Sequence, residues 1–269
     1  MADALLYEKR DGIAYITFNR PDRHNAWNAE TMCRLADAWK DFGEDDSLRV
    51  AIVTGAGDKA FSVGADLEQL IPLWTDVRKP QNEWEERAVT DRRLTGHTLM
   101  RGFPMYKPIV AAVNGFCLAG GAELLWATDI RIAAEHATIG LSEAKRALVP
   151  AGGSMVRLPR QIPYCKAMEI LLTGDRIPAS DALNFGLVNY VVPANEVMPM
   201  AEKFAKTLAA NGPIALRAIK EAVVRTSGIP FNEAFKIETE CAGAVMRSDD
   251  AKEGPRAFME KREAQYTGR

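Results

Sequence analysis

Cysteine and histidine are sparse in this chain, and neither falls into a pattern. Cys33, Cys117, Cys165 and Cys241 form no C-x-x-C pair, so neither a zinc site nor a disulfide framework is expected, and all four read as buried free thiols. His24, His97 and His136 follow no metal spacing such as H-E-x-x-H, so no metal is expected. An excess of charge is lacking too. Against 36 acidic residues stand 34 basic ones, a formal net charge of -2, and no strong field draws the chain to nucleic acid or to an anionic bilayer. No apolar run approaches the roughly 20 residues that cross a membrane, so no membrane partner is expected. The first ten residues, MADALLYEKR, carry Asp3 and Glu8 and lack the apolar centre of a targeting segment, which makes a cytoplasmic location the expectation. Ser154 stands in AGGSMV rather than in a G-x-S-x-G elbow, which argues against a serine hydrolase. Short-period repeats and low-complexity linkers are also missing.

What is present is the pattern of an α/β protein. GIAYITFNRP alternates and stops at Pro21, as a strand and turn do. Asn28 or a neighbour is placed to cap a helix in which Met32, Leu35, Ala36, Trp39 and Phe42 recur at helical spacing. LRVAIVTG and KPIVAAVNG read as further strands, GGAELLWAT as a short helix, DIRIAAEHATIGLSE as two extended runs and LVNYVVP as a late strand. Residues 71–107 are polar and irregular, a mixture of loop and helix. From Ala194 onward the pattern is helical. The expected organisation is an α/β core over 1–193 and a helical region over 194–269.

VAIVTGAGDKAFSVGADLEQL poses the functional question. Gly55-Ala56-Gly57-Asp58-Lys59-Ala60 fits the dinucleotide fingerprint G-x-G-x-x-G/A. A dinucleotide fold would continue directly into a helix, which would put Gly64 in its middle at a cost of about 1 kcal/mol. The better reading is a loop over GAGDKAFSVG and a helix starting at ADLEQL, with Asp66 and Glu68 in the first turn. Ala65 then presents an unpaired N–H at a helix start, able to hold an oxyanion. The same arrangement recurs at VNGFCLAGGAELLWA, where Gly120-Gly121 opens a helix carrying Glu123 in its first turn. Two such donors, if they converge, form an oxyanion hole.

AFSVGADL and AAVNGFCLAGGAELLWATDIRIAAEHATIGLSE together resemble the enoyl-CoA hydratase/isomerase (crotonase) superfamily. NRPDRHNAWN, LTGDRIPASDALNFGLVNYVVP and EGPRAFMEKR extend the resemblance in order over nearly the whole chain. It implies an α/β fold in which ββα units wind into a spiral, with C-terminal helices that assemble homotrimers or hexamers built as dimers of trimers. It also implies an acyl-CoA substrate, with coenzyme A as part of that substrate and no separate cofactor. By motif position, the amides of Ala65 and Gly120 would form the oxyanion hole for the thioester oxygen.

The resemblance further places the two glutamates of the family's hydratases on Glu123 and Glu143. Hydration needs one group to hold and deprotonate water and a second to protonate the α-carbon, roles suited to carboxyls whose pKa is raised by burial or mutual repulsion. Glu123 is expected to activate the water and Glu143 to deliver the proton. The alternative for Glu143 is a surface ion pair with Lys145 or Arg146. Arg23, His24, Ala65, Asp66 and Leu67 correspond to contacts with coenzyme A, and Phe258 and Lys261 to contacts made by the C-terminal helix, often across subunits. The expected function is an enoyl-CoA hydratase; the alternatives are an enoyl-CoA isomerase, a lyase on another acyl-CoA, or a binding protein, either one that binds RNA, which the near-neutral charge disfavours, or one that has lost catalysis. Val63, Ala119 and the glycine placement in PAGGS depart from the usual pattern and bear on the acyl pocket. SEAKRALVP resembles the carnitinyl-CoA hydratase branch.

Overall fold

The computed structural model describes residues 3–269. The chain opens with an antiparallel pair, β1 (Leu5–Arg10) and β2 (Ile13–Phe18), followed by α1 (Ala29–Glu44). Asn28 caps α1, its side-chain oxygen accepting from the Thr31 N–H at 2.9 Å, and the helical stripe Met32, Leu35, Ala36, Trp39 and Phe42 is buried.

From there the backbone repeats one unit. β3 (Val50–Gly55) enters a large sheet, β4 (Ala60–Ser62) enters a small one, and α2 (Ile71–Trp74), α3 (Glu83–Thr90) and α4 (Leu94–Thr98) follow. β5 (Ile109–Val113), β6 (Phe116–Leu118) and α5 (Gly120–Leu125) repeat the pattern, as do β7 (Ile130–Ala134), β8 (Thr138–Gly140) and α6 (Ser154–Gln161). Then come α7 (Tyr164–Thr173), β9 (Arg176–Pro178), α8 (Ala179–Asn184) and β10 (Tyr190–Val192). The large sheet runs β1-β2-β3-β5-β7-β10 and the small one β4-β6-β8-β9. This is the spiral of ββα units. In the large sheet the pairs from β2 to β10 are parallel, and β5 is buried at every residue, as expected of a strand covered on both faces.

The last four helices are α9 (Ala194–Ala210), α10 (Pro213–Thr226), α11 (Phe231–Met246) and α12 (Asp250–Met259). α9 lies across the large sheet and buries Val197, Ala201 and Ala205. α10 and α11 pair with each other and leave Val223, Phe231 and Phe235 exposed. Among the described residues no helix is long and apolar enough to cross a membrane.

Three expectations need correction. The stretch GAGDKAFSVG is not all loop, since Ala60–Ser62 forms β4; three residues are too few to show a period. The helix expected at ADLEQL begins at Ile71 instead. Asp66 Oδ1 accepts from the N–H groups of Glu68 and Gln69 at 3.0 and 3.1 Å, an Asx-type turn that delays the helix until Pro72 can occupy its first turn. Finally, Cys33, Cys117 and Cys241 are buried, but Cys165 is exposed.

Candidate active site

Two backbone segments meet at Gly64. It has φ +81°, and a Cβ there would stand 2.5 Å from the Gly120 nitrogen and 2.9 Å from the Ala119 Cβ, so only glycine lets the exit of β4 touch the start of α5. The Trp27 N–H donates to the Gly64 carbonyl at 2.7 Å, and the Asp66 N–H to the Trp27 carbonyl at 2.9 Å. Ala65 is thereby pinned on both sides, while its own N–H has no protein acceptor among the described residues. The Gly120 N–H, first in α5, is equally free. Just before it, Ala119 adopts φ 49°, ψ −125°, a glycine-like conformation that costs an alanine about 1–3 kcal/mol. Both donors face one cavity of about 980 Å³.

Glu123, on α5, is 6% exposed. Its Oε1 accepts from the Gly152 N–H at 2.7 Å and, more weakly, from the Ser154 N–H at 3.4 Å. Burial pushes its carboxyl up to about 7, and the charge of Glu143 adds to the rise. Glu143 lies in the loop after β8, and its Oε2 is buried without a hydrogen-bond partner. Burial raises this carboxyl as well. The surface ion pair does not form: Lys145 pairs with Asp175, and Arg146 donates to the Ser142 carbonyl at 3.0 Å. A buried carboxyl oxygen without a partner is costly, and such groups concentrate where chemistry is done.

The cavity brings together Arg23, His24, Ala65, Asp66, Leu67, Gly120, Glu123 and Glu143. Arg23 pairs with Glu68 at its rim, 2.9 Å away. Asp66 is buried and its carboxylate is held by Arg20 at 3.0 Å, so its side chain braces the turn next to Ala65. Phe258 and Lys261 lie outside the cavity, Phe258 being 83% exposed on α12. Val63 and Ala119 line the cavity, together with apolar Met32, Ile71, Trp74, Leu99 and Val149.

Two contributors escape a reading of the sequence. Gly152 holds Glu123 from 29 residues away; a Cβ on it would lie 2.5 Å from the Glu123 Oε2. The only sign of it is the glycine pair in PAGGS. Arg176 lies over the Phe116 ring at 5.2 Å, and His24 approaches the same ring at 5.9 Å. Arg23, His24 and Arg176 thus give one end of the cavity a basic edge. Among the described residues no group of three or more His, Cys, Asp or Glu is placed to hold a metal ion.

The sequence pattern of the enoyl-CoA hydratase/isomerase family matches residues 8–269. An enoyl-CoA hydratase of Mycobacterium tuberculosis is 42% identical over 267 residues, 99% of this chain and 97% of that protein. A carnitinyl-CoA dehydratase of Salmonella enteritidis is 36% identical over all of both chains. Among solved structures, an enoyl-CoA hydratase from Bacillus anthracis superposes with a TM-score of 0.88 at 34% identity, covering 99% of this chain and 100% of that one. One from M. tuberculosis H37Rv gives 0.87 at 38% identity over the whole of both.

Proposed function

The chain belongs to the enoyl-CoA hydratase/isomerase family, and on that premise we propose that it is an enoyl-CoA hydratase, adding water reversibly to a 2-enoyl-CoA to give a 3-hydroxyacyl-CoA. One observation carries the reading: the buried carboxyl of Glu123 and the half-buried one of Glu143, its Oε2 fully covered, share a cavity with two backbone N–H groups that lack protein acceptors.

In this mechanism the thioester oxygen accepts from the Ala65 and Gly120 N–H groups. Glu123 must be ionised to take a proton from water. The donors on its Oε1 favour that form, whereas the bare Oε2 of Glu143 favours the acid. The reactive form of the pair is the one in which Glu123 is ionised and Glu143 carries the proton. Water loses a proton to Glu123 as its oxygen bonds to C3, negative charge develops on the thioester oxygen, and Glu143 delivers its proton to C2. Each oxyanion-hole donor contributes on the order of 10²–10³ in rate. Electrophilic activation comes from the backbone, so the proposal requires no metal or redox cofactor. Isomerase or lyase chemistry on an acyl-CoA is the alternative, and proton shuttling alone needs only one acid; the second carboxyl, that of Glu143, is what favours hydration.

Arg23, His24 and Arg176 suit the nucleotide portion of coenzyme A. The apolar side chains left exposed on α10, α11 and α12, among them Val223, Phe231 and Phe258, suit assembly into trimers or paired trimers, in which Phe258 and Lys261 reach a neighbour's cavity. Light scattering should then report three or six times 29.6 kDa. Four unpaired cysteines suit a reducing cytoplasm. The test of the reaction is the ultraviolet absorbance of the conjugated thioester, followed with short, long, branched and aromatic 2-enoyl-CoA esters. Decay with 3-hydroxyacyl-CoA as product supports hydration. No decay with any ester, together with conversion of a 3-enoyl-CoA, would assign the isomerase.

A further inference from the structure

The two ends of the cavity differ in charge. At the end holding Arg23, His24 and Arg176, acids stand among the cations: Arg23 pairs with Glu68, Arg20 with Asp66, and Asp22 also lines the wall. At the other end, the chain leaving α4 packs on the loop after Glu143. Arg101 Nη1 donates to the Ala151 carbonyl at 2.8 Å, one residue before the glycine that holds Glu123. Arg157 donates to the Leu99 and Met100 carbonyls at 2.9 and 2.6 Å, close enough to Glu123 and Arg101 for their charges to act on it. Arg101 lines the cavity and, among the described residues, forms no ion pair; its Nε and Nη2 have no protein acceptor. Of the acids that line the cavity, only the reacting pair, Glu123 and Glu143, stand at this end. Arg146 lines the cavity too, and its charge acts on Glu143, so with one proton shared by that pair, three guanidiniums face a single negative charge.

We propose that Arg101 reads the far end of the acyl group, and that the substrate is a short 2-enoyl-CoA whose acyl chain ends in a carboxylate. The inference rests on the hydratase reading. A guanidinium with two unused N–H directions offers a planar fork that a carboxylate fills. A methyl end leaves those donors to water, and a terminal trimethylammonium is repelled. Chain length follows from position. Arg101 is anchored on the residue adjacent to Gly152, and neighbouring Cα atoms are about 3.8 Å apart, so the carboxylate falls only a few carbons beyond C3. Met32, Leu99 and Val149 supply apolar wall for those carbons.

The test compares 2-hexenedioyl-CoA with 2-hexenoyl-CoA, equal in length, and a trimethylammonium-ended ester of similar length. The wild type should prefer the carboxylate ester by about tenfold or more in kcat/KM, the scale of one charge-assisted hydrogen bond. Arg101→Gln should cut that preference about tenfold, through KM, and Arg101→Lys should keep part of it. A preference near one, or one that survives Arg101→Gln, would overturn the proposal, as would a preference for the trimethylammonium ester. Calorimetric binding of adipyl-CoA against hexanoyl-CoA separates the two readings. Arg101-dependent preference for adipyl-CoA without hydration of any ester sinks only the hydratase reading. Hydration of 2-hexenoyl-CoA with no carboxylate preference sinks only the role of Arg101.

Discussion

Keeping Glu123 ionised inside the protein has a thermodynamic consequence that a neutral isostere reveals. Its carboxyl rises from 4.5 to about 7; at 1.36 kcal/mol per tenfold, that is about 3 kcal/mol of penalty on the charged form. The folded pKa lies above the unfolded one, so the penalty is absent below pH 4.5, grows as pH rises, and is complete above about 7. Glu123→Gln removes the ionisation but retains a carbonyl oxygen to accept from the Gly152 N–H. The variant should therefore match the wild type in stability near pH 4 and exceed it by up to about 3 kcal/mol at pH 8, while losing roughly 10²–10⁴ in kcat. Urea unfolding at a series of pH values reads the difference directly. A stability difference independent of pH, or a variant less stable than wild type at pH 8, would refute the reasoning, because both would mean that burial does not penalise the charge.

Three further substitutions probe the frame around this carboxyl. Glu143→Gln should lower kcat by about 10²–10⁴ while a saturated acyl-CoA, measured by calorimetry, still binds with near wild-type affinity. Gly152→Ala places a methyl 2.5 Å from Glu123 Oε2; the carboxyl must move, and a kcat about 10²-fold lower in steady-state assays is expected, with about 1–3 kcal/mol lost in urea unfolding. Ala119→Gly should stabilise the fold. Relief of about 1–3 kcal/mol of strain outweighs about 0.4–1 kcal/mol of added chain entropy, so Tm should rise by a few degrees in a thermal scan, with kcat little changed; a fall in Tm would mean that Ala119 is not strained.

The elements that sequence reasoning locates are those long enough to show a period. α1 is legible because five apolar residues recur at helical spacing behind an Asn cap, and β5 because five buried residues run together. β4, β6 and β9 have three residues each, too few for any period, and their pairing is decided by the spiral rather than by their own composition. Within residues 71–107, α3 is capped by Asn82, whose side chain accepts from the Glu85 N–H at 3.0 Å, but no buried stripe marks it. At the site, Glu123 and Glu143 follow from motif position. The grip of Gly152 on Glu123 and the anchoring of Arg101 on Ala151 are contacts between residues 29 and 50 apart, which no local pattern encodes.

The glycines that imitate a dinucleotide fingerprint show how one residue type serves two purposes here. A Cβ on Gly55 would lie 2.6 Å from Asn25 Nδ2, the amide that donates to the Ala56 and Ala60 carbonyls at 3.0 and 2.7 Å. Gly57 has φ +76° and turns the chain back. These two let β3 hand over to β4, where a dinucleotide fold would begin a helix. Gly64 is different, because its missing side chain lets the chain that carries the Ala65 amide lie against the start of α5 at Gly120. The spacing of the first pair mimics phosphate binding only because tight turns and phosphate loops make the same demand, a backbone with nothing on one side. What separates them is the next element. A helix would leave free N–H groups for a pyrophosphate, whereas β4 follows Gly55 and Gly57 and moves the free N–H groups on to Ala65 and Gly120, into the cavity that holds both glutamates.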